Sequence, residues 1–221
     1  MATEEKSLVW DLPLRLFHWS IVILVVFSWY SVEIEENLDW HFISGYCVLA
    51  LLLFRLTWGF IGTRYARFKN MLFSPTSILR YFRSLFSRQT EHHTGHNPAG
   101  SLSVFALLTL MLVQAGTGLF ANDEDYYFGP LSDYVSIKTA DWLTEIHHLN
   151  FNILTGFIVL HVLAILFYRI FKKEKLLMAM ITGKKTGTVA RGDEIQHSKL
   201  LAALLTLIVS TSAVCLLVYF A

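Results

Sequence analysis

LTEIHHLNFNILTGFIVLHVLAILFYRIF, residues 143–171, is an apolar stretch broken by one acid, one base and three histidines. Its reading decides the fold. A hydrocarbon core of about 30 Å is crossed by roughly 20 helical residues, and this run is longer than that. Nothing in it alternates with period two, so it reads as a helix and not as a strand of a closed barrel, the only other structure that satisfies its backbone in lipid. A histidine inside such a span is costly and ordinarily has a partner or a task. His147 and His148 open the run, and His161 lies in its middle.

Four more runs of this kind flank it: Leu12–Tyr30, Phe42–Ile61, Leu102–Ala121 and Leu200–Phe220. Over 221 residues, 54% are hydrophobic and 16% charged, where soluble domains run near a quarter charged. Mean hydropathy is +0.49. Four Pro and 12 Gly exclude a collagen-like or disordered chain. The expected fold is an all-α integral membrane protein, a four-helix transmembrane bundle with a fifth, C-terminal transmembrane helix. Cys47 and Cys215 both lie in apolar runs and suggest no disulfide framework. Residues 1–15 carry Glu4, Glu5, Lys6, Asp11 and Arg15, a poor match to a signal n-region, so the first run is read as a retained span.

Charge is sorted between the connections. Glu33, Glu35, Glu36 and Asp39 follow the first run, and Asp123, Glu124, Asp125, Asp133 and Asp141 follow the third, with Lys138 alone against them. The second connection holds Arg64, Arg67, Lys69, Arg80, Arg83 and Arg88, and the fourth holds Lys172, Lys173, Lys175, Lys184, Lys185, Arg191 and Lys199. The positive-inside rule puts the N-terminus in the cytoplasm and the C-terminus outside, in the bacterial inner membrane. Ser74-Pro75 followed by Thr76–Arg88 reads as a capped helix with Ile78, Phe82, Leu85 and Phe86 on one face. It is expected to lie on the inner leaflet, an ordinary solvated loop helix being the alternative. His92, His93 and His96, beside Gly95, Asn97 and Pro98, read as a polar turn rather than a metal site. Tyr126, Tyr127, Phe128, Tyr134 and Trp142 suit an interfacial aromatic belt.

Helical geometry sorts the histidines. His147 and His161 are 14 residues apart. That is about 40° short of four full turns, so they share a face, about 21 Å apart along the axis. His148 falls about 140° away from His161. One metal cannot reach both members of the aligned pair. The first span runs outward, so His18 is level with His161; the second runs inward, so His41 is level with His147. Two stacked haems, each held between facing helices by two axial imidazoles, fit this arrangement. Gly45, one turn below His41, and Gly156 would let a porphyrin approach the helices. Arg15 and Arg55, near the cytoplasmic boundary, are candidates to hold the propionates of the inner haem. Covalently attached haem of the c type is excluded, because no C-x-x-C-H occurs.

Several stretches resemble the bacterial cytochrome b561 and nickel–iron hydrogenase cytochrome b superfamily. They are Arg15-Leu16-Phe17-His18-Trp19, Arg55-x-x-Trp58-x-x-x-Gly62-x-Arg64-Tyr65, Gly95-His96-Asn97-Pro98, and Glu145-Ile146-His147 with His161-Val162. The similarity covers about residues 8–180. It implies two b-type haems and carries their ligands to His18, His41, His147 and His161, the set that the helical geometry selects. On this reading residues 1–180 form the di-haem transmembrane domain, 181–199 a cytoplasmic linker and 200–221 an additional helix. The fifth span resembles the longer free-standing members, which weakens assignment to the hydrogenase subunit specifically.

Bis-histidine ligation leaves no open position for oxygen, so such haems exchange single electrons. The expected work is electron transfer between a quinone pool and a periplasmic redox partner, a cytochrome c or a hydrogenase-like oxidoreductase subunit. No catalytic residue is assigned. The acidic outer loops would steer a basic partner. Gln114, Thr109 and Thr117 are the few polar groups of the third span, and helix-packing hydrogen bonds account for them as well as a quinone pocket does. A superoxide:quinone oxidoreductase is the alternative within the haem class, disfavoured by the acidic outer surface. From another class, a transporter would use the histidines as a relay, but no inverted repeat or broken helix is evident. No H-E-x-x-H or phosphate-cradling glycine motif is present, and nothing points to nucleic acid.

Overall fold

Polar residues standing just outside the apolar runs set where the helices begin. In the computed structural model, which describes residues 6–85, 93–122, 127–186, 195 and 197–221, Asp11 caps helix α1 (Leu12–Glu33) and Asn37 caps α2 (Leu38–Ile61). Ser74 caps the short α3 (Pro75–Ser84), and Asn97 caps α4 (Pro98–Gly118). Ser136 caps α5 (Ile137–Ile170); α6 (Leu176–Thr182) and α7 (Leu200–Phe220) complete the helices. Each capping side chain accepts a backbone N–H of the first turn, satisfying a donor that the helix leaves unpaired. α2, α4 and α5 therefore start four to six residues before the apolar runs, and His41 sits in the first full turn of α2.

The five long helices are each long and apolar enough to cross a membrane, with mean hydropathies from 1.6 to 2.5. The protein is an all-α integral membrane protein. α1 packs on α2, α4 on α5, and α2 joins the two pairs; α7 packs on α2 and touches α1. α2 is the central helix, with Leu52 and Trp58 fully enclosed. The pairs α1–α5 and α2–α5 are not among the closely packed helices, which leaves room between them.

One end of the bundle, where α1 begins, carries Arg15, Arg55, Arg64, Arg67 and Lys69; the opposite end carries the exposed Glu33, Glu35, Glu36 and Asp39. Exposed aromatic side chains, Trp29, Trp40, Phe128, Tyr134 and Trp142, ring this acidic end. At the basic end Asp11 is completely buried. Its carboxylate accepts from the Leu14 N–H at 2.7 Å, from Trp58 Nε1 at 3.2 Å and from the Thr63 hydroxyl, locking the start of α1 to the end of α2. Lys199 donates to the carbonyls of Ile61 at 3.0 Å and Gly62 at 3.4 Å, placing a cation on the C-terminus of α2, where the helix dipole favours it.

Part of the expected linker is paired. Strands β1 (Lys6–Leu8) and β2 (Lys184–Thr186) run antiparallel, so the segment after α6 is tied to the chain before α1. Gly183 turns the chain into β2 with φ +80°, and its carbonyl accepts from the Val9 and Trp10 N–H groups. A Cβ here would lie 2.7 Å from the Trp10 carbonyl oxygen. Gly183→Ala is expected to destabilise by about 1–2 kcal/mol, from the left-handed backbone and the close contact together. Thermal unfolding in mild detergent reads this, and an unchanged midpoint would contradict it.

α3 starts where the sequence places it, with Pro75 in its first turn, and runs to Ser84; Phe86 and Arg88 lie outside the described residues. The side chain that anchors it is Tyr81, not the Ile78–Phe82 face. Tyr81 is buried with its hydroxyl 2.6 Å from that of Tyr168 on α5, and burial followed by this bond pushes its ionisation well above the ordinary tyrosine range. Leu79 and Phe82 remain exposed.

Candidate functional site

Two histidine pairs lie at opposite ends of the gap between α5 and the α1–α2 pair. At the acidic end the ring centroids of His41 and His147 are 6.1 Å apart, with their planes at 80°. His41 Nδ1 lies 3.1 Å from the Ser28 carbonyl oxygen, and the Ser28 hydroxyl is at the same distance. His147 Nδ1 lies 2.9 Å from the Gln114 carbonyl oxygen and 3.2 Å from the Thr117 hydroxyl. A carbonyl can only accept, so each ring carries its proton on Nδ1 and keeps the Nε2 lone pair for a ligand. This is the outer-shell arrangement that orients metal-ligating histidines.

Fit to an iron between the rings can be tested on distance. Two metal–imidazole bonds of about 2.0–2.1 Å and roughly 1.1 Å from each nitrogen to its ring centre give about 6.2–6.4 Å between centroids. The observed 6.1 Å is close to this. The pair opens into a cavity of about 380 Å³ lined by Val25, Gly45, Met111, Ala115, Phe151 and Leu154 among others. A Cβ on Gly45 or Gly156 would meet nothing within 4 Å. Gly118 lets α4 approach the His147 ring: a Cβ there would be 3.0 Å from His147 Cε1. Asn150 donates to Gln114 Oε1 at 2.7 Å and to the Leu110 carbonyl at 2.9 Å, fixing α5 against α4 one turn from His147.

At the basic end His161 Nδ1 lies 3.2 Å from the Ser103 hydroxyl. His18 is near enough to interact electrostatically with His161, and its buried Nδ1 has no hydrogen-bond partner. The arginines singled out from the sequence are here as well. Arg55 is 2% exposed, with its guanidinium carbon 4.7 Å from the Phe68 ring centre and Nη2 3.9 Å from Met71 Sδ. Arg15 donates to the Ile181 carbonyl. Arg55 Nη1 and Arg15 Nε are buried without hydrogen-bond partners, as is the Nδ1 of His96. Such atoms want acceptors, and the carboxylates of a haem are acceptors of the right charge.

The structure thus brings together His41 with His147 and His18 with His161. It leaves His148 beside His147, on the cavity wall, with ring centroids 6.2 Å apart. Among the described residues no three His, Cys, Asp or Glu side chains form a metal-ion cluster, and His92 lies outside those residues. Gln114 and Thr117, noted in the sequence as isolated polar groups, hold the His147 ring and α5. Ser28 and Ser103 were missed, because a lone serine inside an apolar run carries no pattern of its own.

Burial holds the His96 imidazole down to about 3 from 6.5, with Arg55, Lys185 and His161 adding to the shift. The unfolded chain therefore binds the extra proton between these two values. The stability that neutral His96 contributes is complete above about pH 6.5 and is lost as pH falls toward 3. His96→Phe is expected to lose less stability than wild type between pH 7 and pH 5 in detergent unfolding. Equal losses in the two proteins would contradict this.

The family described as prokaryotic cytochrome b561 matches residues 9–183. The chain belongs to that family. As a b-type cytochrome it carries haem b and serves membrane electron transfer. Similar chains include a probable Ni/Fe-hydrogenase B-type cytochrome subunit of Rhodobacter capsulatus, 25% identical over 80% of this chain and 80% of the relative. A protein of the same description from Rhizobium leguminosarum bv. viciae is 24% identical over 83% of this chain and 91% of its own length. One from Cupriavidus necator is 24% identical over 82% and 88%. No solved structure matches.

Proposed function

We propose that this cytochrome b561-family protein holds two haems b, one between His18 and His161 and one between His41 and His147. It passes single electrons across the membrane between a quinone pool and a redox partner. The observation that carries this reading is the His41–His147 pair, at a spacing suited to a shared iron, with both Nδ1 protons committed to backbone carbonyls. A haem held by two imidazoles supplies one-electron chemistry with no open iron position. The chain's own part would be to fix the rings, to keep the Nε2 of His41 and His147 free of a proton through their Nδ1–carbonyl bonds, and to shield the iron from lipid and water. α5 contributes a ligand to both sites and so joins the two faces.

The N-terminus lies in the cytoplasm and the C-terminus in the periplasm, on the charge sorting of the connections. The periplasmic partner docks on the acidic end. The names of the relatives favour an oxidoreductase subunit of the hydrogenase type over a soluble cytochrome c as that partner. The test is a pyridine haemochrome assay with a reduced-minus-oxidised spectrum on protein purified in mild detergent. Two haems b per chain are expected. One haem would break the pairing scheme, and none in folded protein would overturn the reading.

A further inference from the structure

The basic end holds more unsatisfied polar atoms than axial ligation uses. Arg55 Nη1, Arg15 Nε, His96 Nδ1 and Ser101 Oγ are all buried without hydrogen-bond partners. Arg55 is 2% and Ser101 3% exposed. A buried guanidinium without an anion is expensive, so the fold must supply one or a ligand must. The Asp11 carboxylate interacts electrostatically with Arg55, but its hydrogen bonds go to the Leu14 N–H, Trp58 Nε1 and the Thr63 hydroxyl and none to a guanidinium. Lys185 adds a further cation, donating to the His93 carbonyl at 2.8 Å. Arg15, Arg55 and Lys185 still outnumber the two carboxylates that act on them, Asp11 and Glu174, and the unpaired donors have no hydrogen-bond acceptor from the chain.

Its parts come from four places in the fold that the topology brings to one end. Arg15 lies one turn into α1, beside the Gly183 turn. Arg55 lies two turns before the end of α2. His96 precedes the Asn97 cap of α4 and packs on Trp10 with ring centroids 4.5 Å apart; Ser101 lies in the first turns of the same helix. His96 interacts electrostatically with Arg55, Lys185 and His161, which ties the cluster to the basic-end histidine pair. Two serines of α4 then have different tasks. Ser103 steadies the His161 ring, and Ser101, two residues earlier, is left with a free hydroxyl.

We propose that Arg55, Arg15, His96 and Ser101 form a single carboxylate-receiving site that takes a propionate of the haem held by His18 and His161, and that raises the reduction potential of that haem. This rests on the di-haem reading above. It adds His96 and Ser101 to the two arginines and gives the site a consequence for the cofactor's potential. Fixed donors and positive charge on a propionate offset its negative charge, and so favour the reduced iron. In low-dielectric surroundings the effect is larger than it would be at the surface.

The test is a redox titration of the purified protein, with the two haems told apart by their loss in His18→Ala and His41→Ala. Arg55→Gln is expected to lower the potential of the haem lost in His18→Ala by about tenfold in its reduction equilibrium, 59 mV for a one-electron couple. The other haem stays where it was. Ser101→Ala and His96→Phe shift the same haem the same way by roughly threefold. They keep the charge balance, and so carry the test if Arg55→Gln does not fold. Arg55→Lys recovers most of the shift. Potentials unchanged in all variants, or a shift confined to the haem lost in His41→Ala, would overturn the proposal. Acetate added to wild type is expected to leave both potentials unchanged, because the haem's own carboxylate fills the site; an acetate-dependent shift would make a free carboxylate the occupant and overturn it as well. A protein without two haems b would instead fail the di-haem reading itself.

Discussion

His41→Ala is expected to give a folded membrane protein that holds one haem b per chain in place of two, and His147→Ala to lose the same haem. The two rings face each other at 6.1 Å, so removing either leaves a single imidazole where bis-histidine ligation needs two. The other site is untouched, since His161 is 14 residues away on α5, about 21 Å along the axis. His18→Ala and His161→Ala remove the second haem by the same logic. The double variant His41→Ala/His147→Ala should match either single one, because both members serve one site and their effects do not add. His18→Ala/His41→Ala should be haem-free. Haemochrome content per chain, with the spectrum of what remains, reads all of these. If His41→Ala and His161→Ala were to remove the same haem, the pairing across the bundle would be wrong.

How far this site was visible before the fold is a matter of which interactions leave a periodic trace. His147 and His161 announce themselves because an α-helix turns about 100° per residue and a 14-residue step nearly restores direction. Matching them to His41 and His18 needed only the alternation of spans through the membrane. What holds the rings left no trace. Ser28 meets His41 through its backbone carbonyl, and Gln114 meets His147 in the same way; every residue has a carbonyl. Only the adjacency of α1 to α2 and of α4 to α5 selects these two. The family resemblance agreed with the ligand set and was equally silent on Ser28 and Ser103.

The fold divides along the same line. Long apolar runs locate the five membrane helices, because lipid leaves the backbone no other way to pair. The start points of α2, α4 and α5 moved outward from the edges of those runs, since Asn37, Asn97 and Ser136 are polar and only their capping role places them. On α3 the apolar stripe pointed to Ile78 and Phe82, yet the anchor is Tyr81, whose hydroxyl needs the partner that Tyr168 provides. β1 and β2, three residues each and lysine-rich, carry no alternation that a strand reading could use. Their pairing depends on α6 returning the chain to Gly183, which no local pattern states.

Asp11→Ala is expected to lower stability by about 4 kcal/mol, the largest loss from a single side chain outside the proposed haem ligands. The carboxylate is fully buried and serves three donors from two helices and the turn after α2. Losing the helix cap alone costs about 1 kcal/mol. Trp58 Nε1 and the Thr63 hydroxyl would then be buried without an acceptor, at about 1–3 kcal/mol each. Arg55, which interacts with the Asp11 charge, would lose its nearby counterion, and uncompensated buried charges are worth about 3–5 kcal/mol. These contributions overlap, so the loss falls well below their total. Asp11→Asn keeps an acceptor oxygen for the cap and is expected to lose about half as much. Asp133→Ala, at an exposed carboxylate on the acidic end, should stay within about 0.5 kcal/mol of wild type. Detergent unfolding of the three variants is the measurement, and an Asp11→Ala midpoint no lower than that of Asp133→Ala would refute the lock. The loss should also be unequal between the two haems. Asp11 fixes the first turn of α1, and His18 lies seven residues further on, two turns along the same helix, whereas His41 is held by Ser28 at the far end. On mild heating, Asp11→Ala should therefore release the haem of the basic end before that of the acidic end.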